Sequence, residues 1–215
     1  MHIDIFSDPI CPWCFIGKRR LQRALEARPG VRPTIRWRAF QLNPAMPAGG
    51  MERRAYLAEK FGNAAEAGRL YGAIGQVGAV EGIDFRFDRI AVTPNTVDAH
   101  RLIRYAERDA AGDAVIDALF RAYFADGRDI GDTGVLADLA GEAGLDRRAA
   151  AAFLATDEGV DAVRGEDMRA RQLGIEGVPC FIVDRRYALS GAQEPEAFYS
   201  LFDMVTASKS RAVAG

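Results

Sequence analysis

Cys11 and Cys14, separated by Pro12 and Trp13, are the residues of this chain whose type and spacing most clearly point to chemistry. Two thiols three positions apart can form and exchange a disulfide, or supply half of a zinc site. Zinc usually requires a second Cys/His pair at ligand spacing, whereas Cys180, His2 and His100 each stand alone in separate segments. Redox chemistry is the better reading, and no metal is expected. The pair sits where an alternating strand pattern, His2-Ile3-Asp4-Ile5-Phe6, breaks at Ser7-Asp8-Pro9 and a helical pattern begins. A thiol there meets unsatisfied backbone N–H groups and the positive end of the helix dipole, which stabilise the nucleophilic thiolate. The same stabilisation favours the dithiol and makes the disulfide more oxidising. Cys14, one turn further on and less exposed, is placed to resolve a mixed disulfide. Pro12 stiffens the turn but offers no N–H. Trp13 reads either as an exposed apolar plate that docks a polypeptide or small apolar thiol, or as packing against the helical insertion described below.

The elements that must position the pair follow from periodicity and turn chemistry. After the strand at residues 2–7 and a helix over 11–28, residues 34–42 alternate at period two and Asn43-Pro44 closes them. The first 45 residues thus read β-α-β, the connection that favours parallel strands. From 51 to 173 the signal is helical throughout, with segments at 52–61, 66–80, 95–109, 113–125, 132–144, 146–155 and 157–173, and an aromatic turn at 84–88. Asn95, and Asp132 or Thr133, are the expected caps. Past Gly177, Pro179-Cys180-Phe181-Ile182-Val183 reads as a buried strand and Tyr187–Ser190 as its hairpin partner. Pro195 opens a helix to about Ala207, and residues 208–215 form a frayed tail. The expected architecture is α/β: β-α-β, a large all-helical insertion, then β-β-α.

Composition limits the alternatives. The 215 residues are 49% hydrophobic and 27% charged, with 28 Lys+Arg against 30 Asp+Glu and a formal charge of −2. That balance argues against nucleic acid and against a polybasic membrane contact, and no apolar run reaches the ~18 residues of a span. An odd cysteine count does not suit a secreted disulfide framework, and the strand pattern begins directly after Met1, so a cytoplasmic setting is expected.

Taken together, the residues resemble the DsbA-like branch of the thioredoxin fold, and most closely the FrnE-type oxidoreductases. The resemblance is carried by Asp8-Pro9-Ile10-Cys11-Pro12-Trp13-Cys14, Asn43-Pro44, Asn95-Thr96 leading to Ala99-His100, Ala122-Tyr123-Phe124, Gly177-Val178-Pro179 and Ser190-Gly191-Ala192-Gln193. It implies a discontinuous thioredoxin-like domain over 1–46 and 174–215, a helical insertion domain over 47–173, and dithiol–disulfide exchange. It further implies that Pro179 is cis and faces the cysteine pair, with the Val178 backbone pairing with an extended substrate strand. Cys11 and Cys14 are then the catalytic residues, and Pro12, Trp13, Val178 and Pro179 the substrate-binding ones. The substrate would be a thiol- or disulfide-containing polypeptide or small molecule. No cofactor is expected beyond the cysteine pair, with glutathione as a possible co-substrate. In a reducing cytoplasm, isomerase or reductase action suits the chemistry better than net oxidation.

Two other functions compete. Glutathione-dependent hydroxychromene-carboxylate isomerases and kappa-class transferases are similar in architecture but typically carry a serine near the position of Cys11. A non-catalytic peptide-binding chaperone could use an apolar groove around Trp13 and Pro179. Cys180 is read as a small buried residue pointing away from the pair, the alternatives being a third reactive thiol or a metal ligand. His100 is read as packed or surface, and Asp8 as a turn former more simply than as a proton relay, a role also open to Asp4. Arg19, Arg20 and Arg23 form either a solvated helix face or an attractor for an acidic thiol.

Overall fold

The computed structural model describes residues 1–213. Its central sheet has the order β2-β1-β5-β6, built from β1 (His2–Ser7), β2 (Thr34–Ala39), β5 (Cys180–Val183) and β6 (Tyr187–Ser190). β1 runs parallel to β2, with Ile3 opposite Ile35, and antiparallel to β5, with Ile3 opposite Val183. The hairpin of β5 and β6 pairs Cys180 with Ser190. Period-two alternation sends Ile3, Ile5, Phe181 and Val183 into the larger core, while Phe6 and Cys180 face the other way. Helices α1 (Pro12–Glu26) and α9 (Pro195–Val213) cover the first face, where the Phe181 ring meets Phe198 edge-on at 4.9 Å.

The sheet strands and α9 differ slightly from expectation. β2 stops at Ala39 rather than Leu42: the Phe40 N–H still donates to the Ser7 carbonyl at 3.2 Å, but beyond it the N–H groups bind carboxylates, Gln41 donating to Asp167 at 2.8 Å and Leu42 to Asp8 at 2.7 Å. α9 continues to Val213, past the expected end at Ala207. Of the expected tail, residues 214 and 215 lie outside the described residues.

Between β2 and β5 the chain forms α2 (Arg53–Phe61), α3 (Ala64–Val80), α4 (Val97–Ala106), α5 (Gly112–Arg121), α6 (Thr133–Glu142), α7 (Arg147–Leu154) and α8 (Val160–Gln172). The insertion is not helical throughout: β3 (Met51–Glu52) pairs antiparallel with β4 (Val92–Thr93). Two residues per strand leave no periodic pattern to read. The glycines of α3 do not break it, and Gly78 provides the space that the Phe85 ring occupies, since a Cβ there would lie 2.3 Å from that ring. Asp132 and Asp146 cap α6 and α7. The helix expected over 113–125 passes into a π-turn over Ala122–Asp126.

The insertion packs directly on α1. Phe15 stacks on Phe120 at 5.0 Å and meets Phe85 edge-on at 6.0 Å. Three residues on, the buried Lys18 ammonium lies 3.0 Å from Asp113 and 2.9 Å from Asp117 of α5, and the Trp37 indole N–H donates to Asp113 at 3.2 Å. One helix thus presents its sheet-facing residues to the core beside the sheet and its Phe15–Lys18 side to the insertion.

Candidate active site

Cys11 is the residue from which α1 starts, in extended conformation, with Pro12 at the first helical position and no acidic side chain in the first turn. Asp8 fixes the approach: its carbonyl accepts from the Cys11 N–H at 2.9 Å. The Cys11 thiol points to the Val178 carbonyl at 3.6 Å, across to the loop that precedes β5. Cys14, one turn along, is 1% exposed against 4% for Cys11. Burial pushes the Cys14 thiol well above its ordinary range, reinforced by Cys11, while the Ser7 hydroxyl and the Asp8 N–H pull the other way. Trp13 is 38% exposed, so its ring is not buried against the insertion.

The Val178–Pro179 peptide is cis, and Pro179 lies against α1 at Gly17. A Cβ on Gly17 would sit 2.9 Å from Pro179 Cγ and 3.3 Å from the Phe181 ring. The absence of a side chain at this one helical position lets the proline loop reach the cysteine pair. The Gly191 N–H donates to the Pro179 carbonyl at 2.8 Å, anchoring the loop from β6. The fold thus brings Cys11, Cys14, Val178 and Pro179 to one place, with Pro12 buried and Trp13 at its rim.

Other candidates are placed elsewhere. Cys180 lies on the opposite face of the sheet, among Phe6, Phe40, Ala170 and Ile175, and burial raises its thiol. Arg20 is neither a solvated residue nor a free cation. It donates to Glu81 at 2.8 Å and to the Ala192 carbonyl at 2.6 Å, and pairs with Glu194. Arg23 takes the other Glu81 oxygen at 2.8 Å. Burial works against ionisation of Glu81, but these two guanidiniums outweigh it and hold the carboxyl below its ordinary range. Arg19 bonds Gln22 and lies over the Phe15 ring. Asp4 pairs with Arg38 at 2.7 Å on the far face of the sheet.

Asp8 does more than turn the chain. Its side chain is 0% exposed, accepts from Leu42 at 2.7 Å and Ile10 at 3.3 Å, and lies 3.9 Å from Nε2 of the buried His100. Burial is the main influence on both and drives them in opposite senses: the Asp8 carboxyl rises to about 7 and the His100 imidazolium falls to about 4. Between these two values both groups are uncharged. Nothing in the local sequence marks this pair, since α4 brings His100 to Asp8 only through the packing of the insertion.

Comparison with known proteins agrees with this architecture. The model of the DSBA-like thioredoxin domain matches residues 2–203. The uncharacterised protein YwbO of Bacillus subtilis (strain 168) is 26% identical over 184 residues, which are 85% of this chain and 86% of that one. A probable DsbA oxidoreductase from Streptomyces coelicolor superposes with a TM-score of 0.83 at 37% identity, covering 94% of this chain and 88% of the other. The cytosolic disulfide reductase DsbM of Pseudomonas aeruginosa, solved with GSH, shares the fold at a TM-score of 0.67 and 21% identity, covering 96% and 99%.

Proposed function

The chain belongs to the DsbA-like thioredoxin-domain family, and from that premise we propose that it exchanges thiols and disulfides through Cys11 and Cys14. The observation that carries the reading is the placement of the Cys11 sulfur at the start of α1 and 3.6 Å from the Val178 carbonyl, with Cys14 buried behind it. In the reductive direction the Cys11 thiolate attacks one sulfur of a substrate disulfide and expels the other as a thiolate. The Cys14 thiolate then attacks the Cys11 sulfur and releases the second substrate thiolate. Two electrons pass to the substrate, and the Cys11–Cys14 disulfide remains. Two molecules of a small thiol such as glutathione return it to the dithiol, themselves becoming oxidised.

Val178 offers its backbone to an extended substrate segment, while Pro179 presents no competing N–H, and the exposed Trp13 ring supplies apolar contact at the rim. The substrate class is a disulfide-bearing polypeptide or small molecule. A reductase or isomerase role in the cytoplasm is part of the same proposal, supported by the cytosolic fold relative DsbM. The test is mixed-disulfide trapping with a glutathionylated peptide. Cys14→Ser should accumulate a covalent Cys11 adduct and lose turnover, and Cys11→Ser should form none. Full turnover by Cys14→Ser would instead favour chemistry on bound glutathione, and chaperone action intact in Cys11→Ala/Cys14→Ala would favour a binding role.

A further inference from the structure

Period-two alternation sends Asp4 and Phe6 of β1, Arg36 and Arg38 of β2, and Cys180 and Ile182 of β5 to the sheet face that turns away from α1. The register sets them in two rows, Arg36–Asp4–Ile182 and Arg38–Phe6–Cys180. At the Cys180 end the face is covered, because Ala170 of α8 and Ile175 pack there with Phe6 and Phe40. Over the rest of it a groove of about 480 Å³ lies open, floored by Phe6 and Ile182 and bordered by Leu173, which is 60% exposed. A second hollow of about 290 Å³ shares Asp4, Arg38 and Arg185 with it and extends to Arg36.

The charges around this groove are unevenly matched. Asp4 is held by Arg38 at 2.7 Å. Glu166 accepts from Arg38 at 3.1 Å, from Arg104 at 2.6 Å and from the Ala39 N–H at 3.1 Å. Asp184 accepts from the His2 N–H at 2.7 Å. Each lining carboxylate thus has a partner. Arg36, Arg169 of α8 and Arg185 of the β5–β6 turn line the two hollows but form no ion pair and no side-chain hydrogen bond among the described residues. The chain as a whole has a formal charge of −2, so this face is cationic against the trend of the molecule.

The floor also limits what can bind. β1 and β5 are both internal strands, so their main-chain groups are already paired and an extended peptide finds no ladder to join. Recognition must come from side chains: apolar contact from below and guanidinium groups from the rim. A guanidinium makes charge-assisted hydrogen bonds to a carboxylate, and the volume suits a small organic molecule.

We propose that this groove binds a compact amphipathic anion, an alkyl or aryl carboxylate. Its apolar body lies on Phe6, Ile182 and Leu173, and its carboxylate is held by Arg169 and Arg185. Binding is non-covalent and independent of the exchange reading above, since none of the lining residues belongs to the cysteine site.

The experiment titrates the full chain with decanoate by isothermal titration calorimetry, beside 1-decanol, which lacks the charge, and acetate, which lacks the tail. Decanoate should bind saturably at one site, 1-decanol about 10-fold more weakly or less tightly still, and acetate not at all. Arg169→Gln/Arg185→Gln should weaken decanoate about 10-fold or more and leave 1-decanol within about twofold. Leu173→Ser should weaken both about threefold. These three positions are exposed, so the variants keep the fold. In ¹⁵N NMR spectra decanoate should shift the amides of Phe6, Ile182 and Arg185, in wild type and in Cys11→Ala/Cys14→Ala alike. Unchanged decanoate affinity in the double arginine variant would overturn the proposal, as would acetate binding as tightly as decanoate. Shifts centred on Trp13 and Val178 would overturn it by placing the ligand at the cysteine site. No saturable binding of decanoate would do the same, including the case in which only an acidic polypeptide binds this face.

Discussion

The Cys11 sulfur lies 3.6 Å from the Val178 carbonyl oxygen, across 167 positions of sequence. This contact joins the start of α1 to the loop before β5, and it depends on how closely Pro179 can approach the helix. Gly17 decides that distance, because any side chain there enters the volume of the proline ring.

Gly17→Ala should therefore weaken both fold and site. Its Cβ would meet Pro179 Cγ at 2.9 Å, so the loop or helix must shift. A destabilisation of about 1–3 kcal/mol is expected from overpacking, with exchange slowed more than a surface substitution of equal stability effect. Thermal unfolding and exchange rates measured together check this, and unchanged values in both would show that the loop yields freely.

The neutral Asp8–His100 pair predicts an unusual pH dependence of stability. The folded carboxyl titrates near 7 and the unfolded near 3.8, so between these values the folded state holds the extra proton and stability falls as pH rises. The folded imidazole titrates near 4 and the unfolded near 6.5, so over that window the unfolded state holds the extra proton and stability rises with pH. In the wild type the two slopes offset each other between about pH 4 and 6.5. His100→Gln should leave stability falling with pH, and Asp8→Asn should leave it rising, each by up to about 1.4 kcal/mol per pH unit. Denaturant titrations across that range read the slopes, and two mutants with the same sign would contradict the neutral pair.

Lys18→Met tests the docking of the insertion on α1. It removes a buried cation but leaves Asp113 half-exposed and Asp117 partly exposed, so solvent relieves part of the loss. A cost of about 1–3 kcal/mol is expected, below that of stranding a fully buried charge. Reversing the order of the effect, with Asp117→Asn costing more than Lys18→Met, would show that the lysine is not the anchor.

Arg20→Ala should loosen the Ala192–Glu194 loop rather than alter the attraction of acidic thiols. Arg20 joins Glu81, the Ala192 carbonyl and Glu194, and its removal leaves the fully buried Glu81 carboxyl with Arg23 alone. About 2–4 kcal/mol of stability should be lost, while the preference between glutathione and an uncharged thiol stays unchanged. A selective loss of glutathione reactivity in a stable variant would restore the attractor role.

Much of this protein could be read along the chain because the deciding interactions are local. The Cys11–Cys14 spacing sets both thiols at one helix end, Asp132 and Asp146 cap helices within a turn of themselves, and the apolar strands near each terminus alternate at period two. Resemblance to the DsbA-like branch added the cis peptide before Pro179, which no local pattern could supply. Strand pairing over two residues, as between Met51 and Thr93, leaves too little periodicity to detect, and the end of β2 depends on carboxylates from distant positions.

The sequence by itself determined where the two thiols sit, at the start of a helix, and the α/β class with its helical insertion. Only the tertiary structure decided what becomes of the charged groups nearby: Arg20 committed to Glu81, and Asp8 sealed beside His100. The physical reason is range. Spacing and periodicity act over a few residues, whereas burial and charge pairing arise when packing removes water from groups that the chain keeps far apart.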